Sequence, residues 1–138
     1  MLYIQRREYK RALELCQANL GKQHHVHLHC FAADKLTTKE WLHTFPCTIF
    51  GIAGNITSLP YAVEALKEAI PLQHQVVETD SPYFLLRAFM NMPRNHRPRC
   101  NTPWFVPLWA REVAAWKGVL TALLLELSKW KTLKFYSL

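Results

Sequence analysis

Apolar positions Tyr9, Ala12, Leu13, Cys16 and Leu20 follow the i, i+3, i+4, i+7 pattern, predicting a helix over residues 6–20 with Gly21 suited to the position just past its end. Residues 25–31 then alternate and are aromatic or β-branched enough for a strand. Thr37-Thr38-Lys39-Glu40 has capping-box spacing, with Thr37 and Glu40 as the reciprocal pair and Leu36 and Trp41 as the flanking staple. The helix it opens is short and stops before Pro46. Residues 47–53 predict a second, buried strand. Ser58 and Pro60 open a helix with Leu59, Ala62, Val63, Leu66, Ala69 and Ile70 inward and Pro71 as its stop. A third strand over Gln75-Val76-Val77 ends in Glu78 and Asp80, followed at once by the turn residues Ser81-Pro82. After an irregular stretch, about residues 85–101, Thr102-Pro103 begins a helix through Phe105, Val106, Trp109, Val113 and Trp116, closed by Gly118. A last apolar helix runs over about residues 119–130.

The order α-β-α-β-α-β-α-α implies parallel βαβ units, hence an α/β fold. Three strands alone make a thin sheet with open edges, so the chain is either a small open α/β domain or part of a larger barrel. In parallel sheets, sites collect at the C-terminal strand ends. Asp80 would sit at such an end, able to hold a cation or take a proton from water. The plain alternative is that Glu78 and Asp80 are solvated loop acids, or that Asp80 caps the Ser81-Pro82 turn.

A length of 138 residues suits one domain over 1–138, or a piece of a larger one. With 50% hydrophobic residues the chain is expected to be globular. No apolar run reaches a membrane span: the longest, residues 119–127, contains Thr121 and Glu126. The N-terminal residues lack a signal-peptide core, so an intracellular location, nucleus or cytoplasm, is expected with no membrane partner. Four scattered cysteines without a CxxC pair predict reduced thiols. The net charge of +7 favours polyanions, nucleic acid first. Its placement adds to this, because Arg94, His96, Arg97 and Arg99 cluster just after the Asp80 strand.

Four histidines fall within six residues: His24, His25, His27 and His29. On a strand, His25, His27 and His29 share one face and Cys30 takes the other. Imidazoles at that spacing, beside a distant carboxylate, suit a Zn-, Ni-, Fe- or Mn-type site. Alternatively His24 and His25 are exposed loop residues and His27 packs in the core with a satisfied ring nitrogen. No Cys or His pair has the spacing of a structural zinc finger.

His29-Cys30-Phe31 at a strand end, a strand near Phe50-Gly51, and then Glu78-Thr79-Asp80-Ser81-Pro82-Tyr83 together resemble the C-terminal half of TatD-related deoxyribonucleases. The stretch from His96 to Val106, with Arg97-Pro98-Arg99-Cys100-Asn101-Thr102-Pro103, is similar to that family's segment leading into its final barrel helix. The closing Lys134-Phe135-Tyr136-Ser137-Leu138 also resembles some family chain ends. The resemblance implies a partial TIM-type (β/α)8 barrel of the metal-dependent hydrolase superfamily, roughly its last three strands with their helices. It further implies divalent cations (Mg, Mn or Zn) and hydrolysis of DNA phosphodiesters. On it, His29 matches the sixth-strand metal ligand, and Asp80 the eighth-strand carboxylate that binds metal and handles the water proton. Glu78 matches the acid before Asp80, with His27 as a supporting neighbour. Arg97 and Asn101 match positions in the loop near the substrate side, and by their charge Arg94, Arg97 and Arg99 are candidates to hold flanking phosphates.

The chain also departs from the family pattern. A full barrel takes about 250 residues. The first-strand His-x-His pair and the middle-strand Glu have no counterpart. Gln5 in Ile4-Gln5-Arg6-Arg7 stands where a fifth-strand ligand His is usual, Thr102 where many members have Glu, and residues 129–132 lack the usual Asn turn. These departures predict a truncated or alternatively started product, weakly active or inactive alone, that self-associates through exposed barrel edges. The competing expectations are a non-catalytic half-barrel and a basic nucleic-acid-binding fragment.

Overall fold

The computed structural model describes residues 8–137. Three short strands, β1 (His27–Leu28), β2 (Ile49–Ile52) and β3 (Gln75–Val77), form one parallel sheet in the order β1-β2-β3. Helix α1 (Tyr9–Asn19) precedes β1. Helices α2 (Lys35–Thr44) and α3 (Pro60–Glu68) are the two crossovers, and α4 (Arg87–Met90), α5 (Val106–Lys117) and α6 (Thr121–Tyr136) follow β3. Strands laid down in sequence order, with one helix between each pair, give an arc of a (β/α) barrel; a doubly wound sheet would reverse order at a switch point. Leu28, Phe50 and Ile52 point to the helices and join a core with Phe31, Trp41, Leu66 and Trp109.

Several boundaries differ from the sequence reading, each for a local reason. The first helix is described from Tyr9, so its expected start at 6 and 7 lies outside the described residues, as does Gln5. It ends at Leu20, which is extended at φ −125° and donates its N–H to Cys16, so Gly21 is not needed as a left-handed cap. The expected strand over 25–31 shortens to His27–Leu28, and at its C-terminal end Cys30 turns into the left-handed region at φ 46°. Asp34 replaces Thr37 as the cap of α2: its side chain accepts from the Thr37 N–H at 2.8 Å, and its carbonyl from the Thr38 hydroxyl at 2.8 Å. That Thr37 amide bond also holds the Asp34 carboxyl below its ordinary range. Leu36 is 61% exposed, so the expected staple with buried Trp41 does not form. Within the stretch expected to be irregular lie α4 and a 3₁₀ turn over Arg94–His96. The last helix continues past Trp130 to Tyr136.

Two contacts close the C-terminal part onto the sheet. Ser128 of α6 accepts the outward N–H of Val77 at 2.7 Å, satisfying an edge donor of β3. Lys117, at the end of α5, donates to the carbonyls of Leu66 and Lys67 at 2.6 and 3.3 Å and also to that of Ile70, so its ammonium caps the C-terminus of α3. Lys117→Met keeps the stem but leaves those carbonyls unpaired, and is expected to cost about 2 kcal/mol. Urea unfolding measures this; a change below about 0.5 kcal/mol would rule the cap out as a stabilising contact. All four cysteines are free, and no helix among the described residues is long and apolar enough to cross a membrane.

Candidate metal centre

Pairing of His27 with Ile49 and of Gly51 with Val76 puts these residues on the sheet face opposite Leu28, Phe50 and Ile52, where the end of α6 reaches His27. By the same two-residue period, His29 and Glu78 lie on that face just past the strand ends. Gly51 lies beneath Glu78: a methyl group there would overlap its carboxylate, so the absent side chain makes the space in which Glu78 lies.

Glu78 joins the two strand ends. One of its oxygens accepts the backbone N–H of Cys30. Its Oε2 lies 3.0 Å from His29 Nδ1 and 3.4 Å from His27 Nε2. Burial alone would raise the Glu78 carboxyl, but the His27 imidazole, the Cys30 amide and the His29 charge together hold it below its ordinary value. His29 Nε2 in turn lies 3.2 Å from Asp80 Oδ1. In the neutral tautomer that gives Nδ1–H to Glu78, His29 would offer its Nε2 lone pair to a cation lying between that nitrogen and the Asp80 oxygen. Two ligands each about 2.0–2.1 Å from a tetrahedral cation are about 3.3 Å apart, so this nitrogen–oxygen pair fits a divalent cation both in spacing and in donor type.

Cys30 departs from expectation. Alternation assigned it to the far face, but its left-handed backbone brings the thiol round, and ligand atoms of His29, Cys30 and Glu78 all lie within 4.8 Å of one another. Burial, reinforced by Glu78 and Asp80, pushes the Cys30 thiol strongly up. The thiol borders a cleft of about 660 Å³ that is also lined by Tyr9, Asn55, Tyr61 and Phe84. Asn55 Oδ1 is buried there without a hydrogen-bond partner.

The remaining candidates divide. His27 joins the cluster: its Nδ1 is bonded to the Tyr136 hydroxyl, while its Nε2 faces Glu78 Oε2 at 3.4 Å. His25 is exposed and packs against Phe135, with ring centroids 5.3 Å apart. Arg97 donates to the carbonyls of Met90 and Met92, holding its own loop together. Asn101 is buried, ties its loop to the Asp80 turn through its N–H and the Pro82 carbonyl at 3.0 Å, and leaves Oδ1 unpaired. Arg94 and Arg99 are exposed. Cys30, Gly51 and Tyr136 were not among the residues selected from sequence. Gly51 alone had a readable signal, a glycine inside a buried strand.

The sequence profile of a family described as TatD related DNase matches residues 5–137. The chain is 33% identical over 114 residues to the 3'-5' ssDNA/RNA exonuclease TatD of Musicola paradisiaca, a match covering 81% of this chain and 41% of that protein. It is 31% identical over 128 residues to the 3'-5' RNA nuclease TATDN2 of Homo sapiens, covering 91% of this chain and 16% of that protein. Among solved structures it is similar to a TatD family hydrolase from Entamoeba histolytica, with a TM-score of 0.79 and 17% identity over 97% of this chain and 50% of that one. It also resembles an amidohydrolase from Saccharomyces cerevisiae, with a TM-score of 0.69, 15% identity and 84% and 41% coverage. The chain thus spans less than half the length of these two sequence relatives.

Proposed function

The chain belongs to the TatD-related DNase family, and on that premise we propose that it carries part of a metal-dependent phosphodiesterase centre acting on single-stranded nucleic acid. The observation that carries this is the His29–Asp80 pair, 3.2 Å apart and held by Glu78. The family is one of metal-dependent hydrolases, which implies divalent cations. Here His29 Nε2 and Asp80 Oδ1 would hold one. The chemistry it would supply there is acidification of a water and polarisation of the phosphate. Asp80 takes the proton of the attacking water. Glu78 fixes the tautomer and orientation of His29. Exposed Arg94 and Arg99 screen flanking phosphates. In the cleft, exposed Tyr61 and half-buried Phe84 offer stacking surfaces to an unpaired base, with Asn55 Oδ1 as an acceptor. Relatives named as single-strand nucleases support this substrate class. Ligands for a second cation would come from the part of the relatives that this chain does not match, so hydrolysis by this chain alone is slow.

Labelled single-stranded DNA incubated with the purified chain and Mn²⁺ tests the proposal. Slow cleavage is expected, abolished by EDTA and lowered about 100-fold or more by Asp80→Asn. Cleavage that survives Asp80→Asn contradicts it.

A second reading, a non-catalytic half-barrel, is favoured by the Ser128–Val77 and Tyr136–His27 contacts, through which the last helix satisfies the sheet on its own. Absent cleavage with steeply salt-dependent DNA binding would support that reading. Self-association through the remaining β1 edge would appear as a dimer in sedimentation.

A further inference from the structure

His29 presents two nitrogens to two different groups of ligands. Nε2 faces Asp80 at 3.2 Å, while Nδ1 faces Glu78 at 3.0 Å, and ligand atoms of His29, Cys30 and Glu78 form one cluster. We propose that His29, Cys30 and Glu78 form a thiolate-containing site for a zinc-class dication, an alternative to the His29–Asp80 position. It does not rest on the nuclease reading and would exist in a chain with no activity.

Three observations support it. The ligand atoms of the three residues lie within 4.8 Å of one another, so small side-chain rotations bring them around one ion. An imidazole, a thiolate and a carboxylate make a donor set suited to zinc and its congeners and poorly suited to Mg²⁺. The arrangement exists only because Cys30 adopts the left-handed backbone at φ 46°, a conformation that costs energy for a non-glycine residue and that marks functional sites. The Glu78 bond to the Cys30 N–H fixes that turn, and the adjoining cleft gives an ion access from solvent.

On binding, the thiol S–H bond breaks, a sulfur–metal bond forms, and one proton leaves to the buffer. His29 then uses Nδ1 for the metal, and its Nε2–H donates to Asp80, which becomes the outer acceptor that orients the ring. The same imidazole cannot serve both positions with the same tautomer, so filling the thiolate site removes His29 from the Asp80 position. Zinc-class ions should therefore displace Mn²⁺.

The test uses Co²⁺ as a spectroscopic probe on the full chain. A thiolate-to-cobalt absorption band is expected in the wild type and in Asp80→Asn. It should persist in a Cys16→Ser, Cys47→Ser, Cys100→Ser triple variant and vanish in Cys30→Ser, with Zn²⁺ affinity falling about tenfold or more. A band that survives Cys30→Ser, or no band in the wild type, overturns the proposal. If Cys30→Ser does not fold, ¹¹³Cd NMR of the wild type decides: a shift diagnostic of one sulfur ligand supports the site, and one of nitrogen and oxygen ligands alone refutes it. Loss of Mn²⁺ binding in Asp80→Asn with no cobalt–thiolate band would leave the nuclease reading standing without this site.

Discussion

Glu78→Ala is expected to destabilise the chain by about 3–5 kcal/mol, the usual cost of removing one partner from a buried charged cluster. The side chain is only 14% exposed, and its loss strands the Cys30 N–H and removes the contact at both His27 and His29. Glu78→Gln should cost less, because an amide can still accept the Cys30 N–H. The pH dependence follows from the lowered carboxyl. Stability supplied by Glu78 is fully present above its ordinary value of 4.5 and lost as pH falls through the lower folded value. The acid limb of stability against pH should therefore flatten in Glu78→Gln. Urea denaturation across pH 3–7 measures both effects. A Glu78→Ala penalty below about 1 kcal/mol would mean that the carboxylate does not join the strand ends.

Gly51→Ala is expected to be damaging as well, by a smaller amount, although it adds only one methyl group. That methyl overlaps the Glu78 carboxylate, so either the side chain leaves its position or β2 shifts within a fully buried strand. Overpacking of this kind costs about 1–3 kcal/mol. Displacing Glu78 also frees His29 to change tautomer, so divalent-metal affinity should fall about tenfold or more. Calorimetric unfolding and metal titration read the two effects separately. Gly21→Ala is the control, since a Cβ there meets nothing within 4 Å and φ is not positive. Equal effects at positions 21 and 51 would show that the Glu78 contact is not the cause.

The βαβ order and the three strands were legible because period and composition encode them directly, whereas the pairing of His29 with Asp80 came from the family resemblance. Alternation along Gln75-Val76-Val77 fixes where the acids emerge, and the run from Glu78 to Tyr83 carries the family resemblance. What was not legible depends on backbone detail or on tertiary partners. No propensity places Cys30 in the left-handed region, so strand logic put its thiol on the wrong face. Asp34 and Thr37 are both good caps, and only the backbone decides between them. Tyr136 meets His27 across 109 residues, a separation no local pattern reports. Arg97 looked like a phosphate ligand by charge and position, yet its guanidinium holds the carbonyls of its own loop.

Divalent-metal titration of the purified chain most directly tests the pairing of His29 with Asp80. Mn²⁺ followed by electron paramagnetic resonance should show one saturable site in the wild type, with affinity about tenfold or more lower in both His29→Ala and Asp80→Asn. Wild-type affinity in either folded variant would contradict a cation held between that imidazole and that carboxylate.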